Sequence, residues 1–90
     1  NYTMVNVIFP ALLLVWLVAS IPKHRRTLGD TIRGHRKRVK LTQEAFAEKV
    51  GLSVVFISLL ENGHRTVSVD SLLRIAKALG VRLRDLVSEL

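Results

Sequence analysis

The sequence predicts an all-α fold, a bundle of five short helices, on three observations. Apolar residues recur at helical spacing across residues 28–90, and no stretch alternates apolar with polar as a half-buried strand does. Hydroxyl residues able to cap a helix start, and glycines able to end one, fall at the edges of these apolar stripes. Between Leu41 and Gly63, two helical stretches are separated only by Gly51-Leu52-Ser53, so the helices must cross steeply.

Thr27-Leu28-Gly29-Asp30 reads as the first helix start, a threonine cap with a carboxylate three residues on. Leu28, Ile32, His35 and Val39 then make one face, and Gly34 within it costs about 1 kcal/mol relative to alanine. Thr42 caps the second helix, where Ala45, Phe46 and Val50 recur and Gly51 ends the run. Ser53 caps the third, with Ile57 and Leu60 inward and Asn62-Gly63 at its end. After a loop of residues 64–67, Ser68 opens a fourth helix with Leu72, Leu73, Ile75, Ala76 and Leu79 inward and Gly80 as its stop. Val81, Leu83, Leu86, Val87 and Leu90 form a final short amphipathic helix.

Three segments follow: an apolar stretch at residues 1–22, a basic linker at 23–27 and the helical domain at 28–90. Residues 5–21 carry no charge and almost no polar group, and their number lies at the short limit for a membrane-spanning helix. Lys23, His24, Arg25 and Arg26 follow at once, the arrangement that holds what comes next on the cytoplasmic side. Three readings stay open: a short membrane anchor, a non-native extension that is either a fragment edge or sequence translated ahead of a true start (the chain begins with Asn1, and its one methionine is Met4), or an apolar arm that packs on a partner.

The net charge is +7 and is not evenly spread. Residues 23–40 hold eight basic residues against Asp30, whereas residues 41–90 hold six basic and six acidic residues that cancel. Such a patch suits phosphates or an anionic membrane surface. With no cysteine there are no disulfides and no thiolate metal sites. His24, His35 and His64 lack metal-ligand spacing, and no cofactor is expected. No nucleophile–base set or glycine-rich phosphate loop stands out, so the chain does not read as an enzyme.

One pattern carries more than these local signals: Leu41-Thr42-Gln43, Phe46-Ala47, Val50-Gly51, Ser53, Ile57, Glu61-Asn62-Gly63, then Leu73, Ile75-Ala76 and Leu79-Gly80. It resembles the Cro/C1-type, lambda-repressor-like (XRE family) helix-turn-helix domains, over residues 28–90. The resemblance implies a five-helix DNA-binding domain acting as a cytoplasmic transcriptional regulator of repressor, controller or antitoxin type. It also implies a homodimer on double-stranded DNA, with the helix from Ser53 to about Glu61 in the major groove. Val54, Val55 and Leu59 match the base-reading positions, with Phe56 and Ser58 beside them. Gln43 matches a residue that bonds a phosphate and braces the reading helix, with Thr42 and Ser53 at the two helix starts whose free N–H groups favour anions. Asn62 and Arg65 match phosphate contacts, and Arg36 and Glu61 match a partly buried ion pair. His35 stands where the family usually has an apolar residue, and Lys40 where many members have a glycine.

The chain departs from the family's stronger readers. Val54, Val55 and Leu59 offer no hydrogen bond to a base edge, so readout leans on thymine methyl groups, DNA shape and the basic residues. The alternatives are a protein-interaction module that keeps the fold, its apolar helix docking on a partner, and a regulator tethered to the membrane through residues 5–21.

Overall fold

The computed structural model describes residues 21–90, which form five helices. They are α1 (Lys23–Arg38), α2 (Gln43–Val50), α3 (Val54–Glu61), α4 (Val69–Leu79) and α5 (Leu83–Val87). The apolar run at residues 5–21, apart from its last residue, lies outside the described residues. Among the described residues, no helix is long and apolar enough to cross a membrane.

Helix α1 starts five residues earlier than the Thr27 cap predicts. Pro22 precedes its first turn with φ −57°, and its carbonyl accepts from the Arg25 and Arg26 N–H groups. Proline's fixed φ suits a helix start, and the Lys and Arg residues that follow are good helix formers. The basic stretch 23–27 is therefore helical rather than a linker. Thr27 sits inside the helix, where its carbonyl accepts from the Thr31 hydroxyl at 2.8 Å. The buried line of α1 is Gly29, Ile32 and Arg36, whereas His35 is half-buried and Val39 is exposed at the helix end. Gly29 sets this rotation. A Cβ there would stand 2.5 Å from the Leu60 carbonyl oxygen and 2.6 Å from that of Glu61, so α3 crosses α1 backbone to backbone.

The turn chemistry follows the sequence closely. Lys40 takes the left-handed conformation at φ 62°, where a non-glycine residue is strained. The Thr42, Ser53 and Ser68 side chains accept from the N–H groups of Ala45, Phe56 and Ser71, capping α2, α3 and α4. Gly51 and Gly80, both left-handed, close α2 and α4.

Eleven side chains form one core: Ile32 of α1; Phe46, Ala47 and Val50 of α2; Ile57 and Leu60 of α3; Leu72, Ile75, Ala76 and Leu79 of α4; and Leu86 of α5. Each large side chain buried contributes about 1.5–3 kcal/mol before entropy. Besides Val39, three residues read as inward or apolar-face positions differ. Ala45 is exposed, and Leu73 and Leu90 are about half exposed because they lie at the edges of their stripes. Helix α3 packs against α1 and α2, α2 also packs on α4, and α5 bridges α1 and α4. One side of α3 is thus enclosed and the other is left open.

Candidate nucleic-acid interface

The order of residues in α3 fixes what that open side carries. Ile57 and Leu60 recur at helical spacing and are sealed in the core. Val54 and Val55, in the first turn, consequently turn outward, 37 % and 64 % exposed. Leu59 and Ser58 are half-buried on its flanks. Phe56 is half-buried too and packs against the core, so most of its ring belongs to the fold. The Arg65 guanidinium lies over that ring, 5.6 Å from its centroid, a cation–π contact that ties the loop after α3 to α3 itself.

Thr42 and Ser53 are exposed, and each hydroxyl oxygen accepts an N–H of its own helix while its hydrogen stays free to donate. The first N–H groups of α2 and α3 have no partner within their helices and add partial positive charge at these two ends. Glu44, in the first turn of α2, is the carboxylate that opposes an anion there.

Behind this surface sits a buried carboxylate. Glu61 is 1 % exposed, yet it is fully answered. Arg36 donates to it through Nε at 2.7 Å and Nη2 at 3.0 Å, a two-pronged pair across α1 and α3. Arg36 Nη1 donates to the Leu41 carbonyl at 2.9 Å, tying the α1–α2 turn to the same group. Gln43 Nε2 donates to Glu61 Oε1 at 3.1 Å, which fixes the start of α2 against the end of α3. Burial pushes the Glu61 carboxyl pKa up. The Arg36 hydrogen bonds, the Gln43 amide and the charges of Arg36 and Arg33 outweigh this and hold it below its ordinary value.

Arg33 was not among the residues singled out from the sequence. It donates through Nη2 to Asn62 Oδ1 at 2.7 Å and to the Glu61 carbonyl at 3.2 Å, and its Nε lies 3.5 Å from Glu61 Oε1. Asn62 in turn donates from Nδ2 to the Ser58 carbonyl at 2.8 Å, so both polar ends of this side chain are engaged. The available signal was spacing: Arg33 lies one helical turn before Arg36, so both reach α3. Among the described residues, no cluster of His, Asp and Glu is placed to hold a metal ion.

An open first turn, two capped helix starts and a braced crossing describe an architecture, and comparison with known proteins shows whose it is. The helix-turn-helix (HTH_3) family pattern matches residues 32–86. The chain belongs to this family. Among sequence relatives of this helix-turn-helix protein, Control protein C.MunI of a Mycoplasma species is 36 % identical over 63 residues, covering 69 % of this chain and 85 % of that protein. The Propionyl-CoA carboxylase regulator of Cereibacter sphaeroides is 37 % identical over 60 residues, but the match spans only 13 % of its length. Among solved structures, the clp gene regulator ClgR of Corynebacterium glutamicum aligns at TM-score 0.73 and 32 % identity, covering 79 % of this chain and 91 % of that one. The restriction-modification controller protein C.AhdI of Aeromonas hydrophila aligns at 0.66 and 33 %, covering 68 % and 92 %.

Proposed function

We propose that this helix-turn-helix protein is a sequence-preferring DNA-binding transcriptional regulator of repressor, controller or antitoxin type, with α3 in the major groove. The observation that carries this reading is the open first turn of α3. Val54 and Val55 face outward on a helix whose opposite side is locked into the core, as a groove-reading ridge requires. Several relatives bear regulatory names: control protein, immunity repressor and clp gene regulator. Gln43, with the free N–H groups at the start of α2, supplies backbone contacts, and Arg65 flanks the ridge. The excess positive charge of residues 23–40 draws the domain to phosphates before docking.

The reading includes a homodimer in the cytoplasm on a two-fold-related site. A module this small reads one half-site, and exposed Val69, Leu73 and Leu90 supply apolar surface for self-association. Tethering through residues 5–21 is a variant of the same function. The apolar character of Val54 and Val55 favours one second reading, a protein-interaction module whose α3 docks on a partner. A gel-shift titration of the full chain on duplex DNA at rising salt separates them. Binding that weakens steeply with salt supports the regulator. No binding at low salt, together with a partner that protects Phe56, supports the interaction module.

A further inference from the structure

Arg33 reaches from α1 to the buried carboxylate at the end of α3. Its side chain is 33 % exposed, and its Nε lies 3.5 Å from Glu61 Oε1. That same oxygen accepts from Gln43 Nε2 at 3.1 Å. The two side chains, from different helices, therefore converge on one atom. Each keeps unused donors, since a guanidinium has five N–H groups and a primary amide two. The charge of Glu61 is already matched by the paired bonds from Arg36, so the positive charge of Arg33 is surplus at this point of the surface. Asn62 accepts from Arg33 at 2.7 Å and is itself anchored to the Ser58 carbonyl, which holds the guanidinium in one orientation.

Resting on the DNA reading above, we infer that Arg33 and Gln43 form a two-pronged clamp for a single backbone phosphate, with Glu61 and Asn62 setting its spacing. A phosphodiester offers two unesterified oxygens, one for each prong, and its charge answers the one Arg33 leaves over. The N–H groups in the first turn of α2 face the same ligand from Gln43's own backbone. Asn62 is in this arrangement a brace of the clamp, and α1 becomes a DNA-contacting helix.

The test is the salt dependence of binding by the full chain to a duplex recovered from a random pool. For R33Q, the plot of log affinity against log salt should become shallower by about one, with the loss nearly equal across sequences. R33K keeps the charge and should keep the parent slope. K49Q, at the far end of α2, removes the same charge and should leave the slope at the parent value. Circular dichroism melts show that each variant is folded. Should R33Q not fold, R33K still decides, because a shallower slope with the charge retained would overturn the clamp. An R33Q slope equal to the parent's, or a K49Q slope that falls as far as R33Q's, would overturn the clamp and leave the DNA reading standing. A parent chain that binds no duplex at low salt would overturn both.

Discussion

Removing Arg36 tests the frame on which α3 is mounted. In R36A, the Glu61 carboxylate, 1 % exposed in the parent, loses both of its short charged hydrogen bonds, and the Leu41 carbonyl loses its donor. Breaking a buried pair from one side costs about 3–5 kcal/mol, because the remaining charge stays out of water. Arg33, 3.5 Å away, partly takes over, which favours the lower end. For a domain of this size each kcal/mol lowers Tm by roughly 4–8 °C, so a drop of at least about 12 °C is expected. Thermal melts by circular dichroism measure it directly. The loss also has a pH signature. In the parent, the Glu61 carboxyl is held below its ordinary value of 4.5, so its contribution is complete above that value and fades as pH falls through the lower folded-state pKa. Without Arg36, the Glu61 carboxyl loses the largest contribution that lowers its pKa, so that pKa rises. The gap between parent and variant is therefore widest near neutrality and narrows in acid. Replacing both partners, as in R36M together with E61L, should recover more than half of the loss, since no buried charge remains. A Tm for R36A within about 3 °C of the parent, or a double variant no better than the single one, would refute the reasoning.

Two glycines of α1 should respond in opposite directions. G29A drives a Cβ into the Leu60 and Glu61 carbonyls and should cost about 1–3 kcal/mol, whereas G34A meets nothing within 4 Å and should gain about 1 kcal/mol in denaturant titrations. K40G relieves a left-handed lysine and should raise stability by about 1 kcal/mol in the same assay. Q43A removes one prong of the proposed phosphate contact, so gel shifts should show all duplexes weakened by nearly the same factor, with no change of preferred sequence.

The local chemistry of this fold is written locally, which is why it was legible. Thr42, Ser53 and Ser68 each bond an N–H three residues on, and Gly51 and Gly80 take the conformation that glycine adopts without strain. The strained Lys40 followed from the resemblance rather than from its neighbours. What escaped depends on residues far apart in sequence. Thr27 with Asp30 imitates a helix start, but Pro22 and the lysine and arginine after it begin the helix sooner, and Arg26 then seats beside Gly63. Gly29 reads only as part of that helix start until α3 crosses it. Arg33 looked like one charge of a basic run, because its partners Glu61 and Asn62 lie 28 and 29 residues on. Leu73 continues an apolar stripe on paper, yet it sits where the stripe turns to the surface.

As proposed, the outward first turn of α3 reads the groove. Selection of bound duplexes from a random pool, run in parallel on the parent chain, V54Q and V55Q, is the decisive measurement. Glutamine in place of valine exchanges a methyl contact for a hydrogen-bonding amide at the base edge, so at least one variant should enrich a motif that differs from the parent's at a defined position. Identical motifs from all three proteins would place the reading surface elsewhere.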